Sequence, residues 1–251
     1  MDNIVKTVLI VLAVLVILYL LMNFFTSSST SLTTLQQAAN NHQKIEASTL
    51  PSNNKTSNYT YSMWMYVDDW NYKFGTEKEV LVRKDQDHHP SPSVVLGAME
   101  NDIIIKVACY PTHEDGTNPD CNPGASDDPC KKSIVHQCNI KNFPLQSWVN
   151  VIISLYGRTL DVYIDGKLVR TCMLPGVAKV SPKANISVTP HGGFSGYTAN
   201  FQYWDDATNP QQAYNIYKNG FGGSMLGDLF NKYRIKVSFL EDNKEQGSFE
   251  I

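Results

Sequence analysis

The chain has 251 residues, 42% of them hydrophobic and 18% charged, with a formal net charge of −3 at pH 7. Such a balance fits a protein that buries a core and excludes a highly charged disordered chain. With Lys+Arg 21 against Asp+Glu 24, it offers no basic surplus for a nucleic acid to select.

In chain order the first element is residues 4–25, which are almost wholly apolar; Val8 to Met22 holds no polar side chain except the Tyr19 hydroxyl. A helix of that length, at about 1.5 Å per residue, spans roughly 30 Å, the hydrocarbon thickness of a bilayer. A cleaved signal peptide has a shorter apolar region, roughly 7–15 residues, ending in small residues. Here Asn23-Phe24-Phe25-Thr26 follows. Residues 1–25 therefore read as an uncleaved transmembrane signal anchor, with the membrane as partner through 4–25. Lys6 and the α-amino group precede the span and the next basic residue is Lys44, which favours a cytoplasmic N-terminus and a large non-cytoplasmic domain. The N-glycosylation acceptors Asn54, Asn58 and Asn185 all lie beyond the span and point the same way.

Residues 26–58 begin with a Ser/Thr run and stay rich in Asn, Gln, Ser and Thr. Side chains of that kind bury too little apolar area to offset ordering entropy, so the expectation is a stalk. Within it, Leu35 to Ala47 could form a short helix by packing on a partner.

From Tyr59 the period becomes two. Tyr59, Tyr61, Met63, Met65 and Val67 share one face, and Trp64 and Tyr66 on the other break its polarity, which predicts a strand covered on both sides. Further strands are expected at Val80–Arg83, Val94–Ala98, Ile103–Val107, Trp148–Tyr156, Leu160–Ile164, Leu168–Leu174, Ile186–Thr189, Tyr197–Trp204 and Ile235–Leu240. Gly157-Arg158 reverses the chain once, and Asp165-Gly166 predicts a two-residue hairpin turn, whose central residues need positive φ. In Tyr197–Trp204 the alternation places Tyr197, Ala199, Phe201 and Tyr203 on one side. A helix is expected from Pro210 to Asn219, with Asn209 as its N-cap and Ala213, Ile216 and Tyr217 on its buried side. Many short strands with little helix predict an all-β, two-sheet antiparallel sandwich over 59–251.

Four pieces in order resemble the concanavalin A-like jelly rolls of the laminin-G-like type: Tyr61-Ser62-Met63-Trp64-Met65-Tyr66-Val67 before Val80-Leu81-Val82-Arg83-Lys84; Trp148-Val149-Asn150-Val151 leading into Leu160-Asp161-Val162-Tyr163-Ile164-Asp165-Gly166-Lys167-Leu168-Val169; Phe194-Ser195-Gly196 with Phe201-Gln202-Tyr203-Trp204; and the helix near Gln211 to Lys218. The resemblance covers roughly Tyr59 to Gly220. It implies a jelly-roll sandwich with one short C-terminal helix, in a family of lectins, adhesion modules, glycan-cleaving enzymes and structural domains.

The glucanases of that superfamily carry a Glu-x-Asp-x-Glu strand, which sets acid and nucleophile on one face. No such run exists here: Glu77 and Glu79 flank Lys78, and Glu241-Asp242 stands apart from Glu245. His88-His89 and His113-Glu114 lack a nucleophile at a recognisable offset. The reading is a non-enzyme.

Cys109, Cys121, Cys130 and Cys138 bracket a long loop, and Cys172 lies on the returning hairpin strand. Two disulfides among the four, or one of the four bonded to Cys172, are the alternatives, and the odd count leaves a thiol over. Zinc is disfavoured because no Cys-x-x-Cys spacing occurs. Calcium is the one cofactor considered, on Asp115, Asp120, Asp127 and Asp128, because many laminin-G-like domains bind it; the spacing matches no calcium loop. For sugar recognition the candidate platforms are Trp70, Tyr72, Tyr110 and Tyr197, with His191 in the tight loop His191-Gly192-Gly193. Trp64, Trp148 and Trp204 are expected in the core.

Anchor, stalk and Cys-bearing sandwich together look like proteins of large DNA viruses of algae or protists. That resemblance implies a virion component, a minor capsid protein that links an internal membrane to the shell with capsid proteins as partners. The alternative is a membrane-displayed lectin or adhesion module that binds glycans.

Overall fold

A computed structural model of the chain describes residues 31–33, 36–51, 56–84, 88–111, 133–220, 236–241 and 244–250. The anchor expected over 1–25 lies outside them; among the described residues no helix is long and apolar enough to cross a membrane. Three short strands come first: β1 (Ser31–Thr33), β2 (Gln37–Ala38) and β3 (Gln43–Ile45). There follow β4 (Tyr59–Asp69), β5 (Lys78–Lys84), β6 (Pro90–Leu96), β7 (Ile103–Cys109) and β8 (Ile134–Ile140). Next are β9 (Trp148–Tyr156), β10 (Thr159–Ile164), β11 (Lys167–Met173), β12 (Ile186–Val188) and β13 (Ser195–Trp204). The chain ends with α1 (Pro210–Lys218), β14 (Lys236–Glu241) and β15 (Lys244–Glu250).

The strands form two antiparallel sheets. The first runs β1-β13-β4-β9-β10-β11 with β2 also on β13, the second runs β3-β12-β5-β6-β7-β8, and β14 and β15 pair with each other. The alternation of β4 decides its faces. Tyr59, Tyr61, Met63, Met65 and Val67 enter the core beside Val149, Val151, Ile153 and Leu155 of β9, with Tyr61 opposite Ile153 and Met63 opposite Val151. The second sheet contributes Val80, Leu81, Val94, Leu96, Ile103, Ile105 and Val107 to the same core. This two-layer β architecture is the expected sandwich.

The outer face of β4 is covered as far as Trp64, as its sequence predicts, whereas Tyr66 beyond it is half-buried. Helix α1 lies on the outer face of the first sheet: Tyr217 stacks on Trp64 at 5.6 Å, and Ala213 packs with Ile152 and Tyr163. Its start is a reciprocal cap, in which Gln212 N donates to Asn209 Oδ1 at 2.9 Å while Asn209 N donates to Gln212 Oε1 at 3.0 Å, worth about 1 kcal/mol. The Asp165-Gly166 turn has φ of 50° and 71°, both positive as a type I′ turn requires.

Four expectations are corrected. Residues 31–33 and 36–50, within the expected stalk, are not unpaired, because β1 and β2 pair with β13 and β3 pairs with β12. Backbone pairing at sheet edges, which composition does not report, orders this segment. β2, β3 and a 3-10 turn at Ala47–Thr49 stand where a helix was expected. Ile134–Ile140, read as part of a loop, is strand β8, paired with β7 over its whole length. In β13 a bulge between Ala199 and Gln202, with Asn200 at φ 45°, reverses the alternation. Phe201 and Tyr203 therefore enter the core, while Tyr197, opposite the outward-facing Tyr66, lies on the outer face.

Of the disulfide alternatives, the bond to Cys172 is present. Cys138 of β8 and Cys172 of β11 are joined with Cα atoms 6.1 Å apart, which ties the edge strands of the two sheets together. Cys109 is a buried free thiol, and burial pushes its pKa up to about 11. Cys121 and Cys130 lie outside the described residues.

Arg83 of β5 is only 2% exposed. Its Nη1 donates to Tyr61 Oη across the sandwich at 3.0 Å, Nε to Ala184 O at 3.1 Å and Nη2 to Pro182 O at 3.1 Å. The Tyr203 ring lies 5.6 Å from its Cζ. Tyr61→Phe leaves a buried charged donor unpaired, so a loss of about 1–3 kcal/mol is expected. Urea unfolding of the variant reads this directly; an unchanged midpoint would show that the guanidinium finds another acceptor.

Burial also raises the pKa of Tyr59 and Tyr61. An acid held neutral in the fold but free to ionise when unfolded destabilises the fold as pH rises. For Cys109 the contribution is fully present below pH 9.0 and is lost progressively toward about 11, with the tyrosines extending the loss further. Melting temperature is expected to fall between these pH values, and Cys109→Ala to flatten the first part of the fall; an identical profile in the variant would remove the thiol as its cause.

Candidate functional site

Strand direction sorts the candidate residues to two ends of the sandwich. Lys78 of β5, Leu96 of β6, Ile103 of β7 and Ile140 of β8 are register neighbours at one end, and the β4–β5 and β12–β13 loops emerge there. Trp70, Tyr72 and His191 belong to this end. Tyr110 follows Cys109 at the opposite end, where its N–H donates to Val177 O at 2.9 Å and Lys179 Nζ lies 5.0 Å from its ring centre. The structure therefore separates Tyr110 from the other platforms.

At the first end two loops are stitched together through side chains. Trp70 Nε1 donates to Met99 O at 3.3 Å, and the Lys78 ammonium lies 4.4 Å from the indole ring centre while donating to Gly97 O at 3.2 Å. Lys78 is only 1% exposed, and burial lowers its pKa. Tyr72 Oη donates to Gly192 O at 3.0 Å, and Lys73 Nζ donates to His191 O. His191 Nδ1 lies 2.6 Å from Glu79 Oε2, with the His191 side chain 81% exposed. Gly193, at φ 35°, lies so close to the N-terminal segment that a Cβ would stand 2.1 Å from Ala39 O. The polar atoms of Trp70 and Tyr72 are thus spent on backbone carbonyls, which suits them to shape the loops.

The neighbouring surface has a different character. Tyr197 of β13, Tyr66 of β4 and Trp148 of β9 are register partners across three adjacent strands. Their ring centres are 6.3 Å apart for Tyr197–Tyr66 and 5.7 Å for Tyr66–Trp148. Tyr197 is 42% exposed, and Tyr66 and Trp148 are half-buried. The row runs along the outer face, roughly 10 Å over two strand spacings. Exposed Asp68 and Asp69 stand at the end of β4 beside it, and Gln146 N donates to Val67 O at 2.8 Å, which brings another polar side chain close. Flat rings bordered by carboxylate and amide groups can stack on apolar C–H faces while accepting and donating hydrogen bonds to hydroxyls.

The sequence does not single out Tyr66, and it predicts Trp148 and Trp204 in the core, where the structure leaves both half-exposed; Trp64 is buried on the outer face beneath α1. The signal for Tyr66 is its even-numbered place in β4, opposite the core series.

The remaining candidates fall elsewhere. Asp115, Asp120, Asp127, Asp128 and Asn54 lie outside the described residues, among which no group of three or more His, Cys, Asp or Glu could hold a metal ion. Asn58 Oδ1 accepts from Gly157 N at 3.0 Å and Asn185 Oδ1 from Ala47 N at 2.8 Å, so both acceptor asparagines also brace backbone. Glu77 pairs with Lys106 at 2.5 Å.

No family model matches the chain, and no curated protein resembles it in sequence. Solved structures do resemble it in fold. The receptor binding domain of botulinum neurotoxin mosaic serotype C/D aligns with TM-score 0.51 and 11% identity, over 78% of this chain and 51% of that one. The binding domain of botulinum neurotoxin DC in complex with rat synaptotagmin II aligns with TM-score 0.48 and 10% identity, over 76% and 51%. Botulinum neurotoxin type C, whose cell entry depends on interaction with two ganglioside molecules, aligns with TM-score 0.45 and 12% identity, over 64% and 36%. The chain spans about half or less of the length of these structures, and at such identities the first of them bears on the fold alone: a β-sandwich of jelly-roll type.

Proposed function

We propose that this chain is a non-catalytic binding module of concanavalin A-like type that holds a glycan across the row Tyr197–Tyr66–Trp148. The observation that carries the reading is the row itself: three aromatic rings in direct cross-strand register on the outer face, with Tyr197 exposed and Asp68 and Asp69 beside it. Its length suits roughly two sugar rings. The C/D structure, which shares the sandwich, is itself a receptor-binding domain.

A second reading, a membrane-anchored scaffold that joins a bilayer to a virion shell through capsid proteins, draws on a separate surface. Ile134 and Val135 of β8 and Leu168, Val169 and Met173 of β11 are exposed apolar side chains along one edge of the sandwich, where a protein partner would cover them. This reading also needs the anchor of residues 4–25.

Glycan-array binding by the full chain tests the first reading. Tyr197→Ala, at the exposed end of the row, is expected to weaken retained glycans by roughly ten- to a hundredfold in Kd, corresponding to about 1.4–2.8 kcal/mol. Equal binding by the variant, or no glycan retained by the parent, overturns it; cross-linking of β8 and β11 to one shell protein would favour the scaffold.

A further inference from the structure

The chain enters the described sandwich at one end. Ser31 of β1 is the register partner of Gln202, and β1 runs antiparallel to β13, so the chain arrives from the side of Tyr59 and Trp204, opposite the end that carries Trp70, Tyr72 and His191. Residues 26–30 alone separate the apolar run 4–25 from Ser31. Fully extended, that length of chain reaches no more than about 20 Å. Ser62, which also pairs with Gln202, lies about 23 Å along β4 from Asp69, and the Trp70 loop stands beyond. If residues 4–25 lie in a bilayer, the Trp70 end therefore cannot rest on it, because Ser31 would be out of the chain's reach.

The side chains exposed at the Tyr59 end suit a lipid boundary. Tyr156 is 68% exposed and Met173 64%, and both are register partners of Thr159, one on each side of it. Ile134 and Val135 are exposed where β8 begins, at the same end. A tyrosine, with an apolar ring and a polar tip, is the residue type of membrane–water boundaries. Exposure alone does not choose this end, since Phe74 and Met99 are as exposed at the other; the reach of the chain chooses it. Charge is mixed: Lys84, Lys183 and Asp206 are exposed here, and the sequence between β7 and β8, which leaves from and returns to this end, holds Glu114, Asp115, Asp120, Asp127 and Asp128. A zwitterionic lipid surface fits that balance better than an anionic one.

We propose that the Tyr59 end of the sandwich docks, through Tyr156 and Met173, on the surface of the bilayer that residues 4–25 enter. This placement rests on the reading of that segment as an anchor. Tethering makes the contact intramolecular, so an affinity in the millimolar range, too weak to hold a free protein on a membrane, is enough to keep it formed. For the aromatic row the consequence is orientation. Tyr66 lies about 23 Å along β4 from Tyr59, so Tyr197, Tyr66 and Trp148 are held clear of the lipid.

The full chain reconstituted in phosphatidylcholine vesicles tests the placement, with the photo-cross-linking residue p-benzoylphenylalanine put in turn at Tyr156, Met173, Phe74, Met99 and Tyr197 and lipid adducts measured by mass spectrometry. Positions 156 and 173 are expected to yield about tenfold or more lipid adduct than the other three, which lie roughly 20–35 Å farther from the bilayer. Tyr156→Asp is expected to lower the adduct at position 173 several-fold. Extraction with alkaline carbonate separates the contact from the anchor. A chain that is extracted has no anchor, and the placement falls with it. A chain that resists extraction while its adducts are even over all positions, or greatest at 74, 99 or 197, keeps its anchor and overturns the contact. Cross-links from 156 and 173 to a second copy in place of lipid overturn the bilayer as the occupant of this surface.

Discussion

The sandwich is organised around a cation in its interior. Arg83 reaches from the second sheet to Tyr61 of the first and, with its other nitrogens, to the carbonyls of Pro182 and Ala184 in the segment that leads to β12. Withdrawing a guanidinium from water costs several kcal/mol unless its donors are satisfied. Here, among the described residues, carbonyls and a phenol serve in place of a carboxylate. Tyr61 in turn sits among Tyr59, Phe201 and Tyr203, with ring centres 5.1, 6.2 and 4.9 Å away. One ion thereby sets where two sheets and a connecting segment meet, and the bulge at Asn200 that turns Phe201 and Tyr203 inward is part of the same arrangement.

The two long edges of the sandwich are finished differently. On one, β1 and β2 extend the first sheet and β3 the second. On the other, β8 and β11 end the sheets, and a disulfide, a bulge and the Arg170–Asn139 bond hold them. Bulges and charged side chains are common devices against unwanted edge pairing. β11 has both, whereas β8 is regular in register and carries no Lys, Arg, Asp or Glu.

How legible this was from sequence follows the same physics. Central strands such as β4 and β9 announce themselves because one face must be apolar, and the Asp165-Gly166 turn and the Asn209 cap were readable because few residue types suit those backbone positions. β8 was not, since its side chains Val135, His136 and Gln137 face solvent or an edge and lack alternation. β1 to β3 were hidden because their order comes from main-chain pairing. At the site, Trp70, Tyr72 and His191 stand out singly in the sequence and only the fold brings their loops together, and a third of the aromatic row is visible: composition marks Tyr197, gives Tyr66 no distinction and predicts Trp148 in the core. A bulge cannot be counted from alternation alone, so the face of Tyr197 needed coordinates.

The way the N-terminal segment crosses from one sheet to the other has a mechanical meaning. β1 and β2 hang on β13, and only afterwards does β3 reach β12. A pull on the chain at Ser31 therefore meets pairings to the first sheet before it meets the pairing to the second. Load enters at a peripheral edge through short pairings, whereas the disulfide joins the strands of the opposite edge.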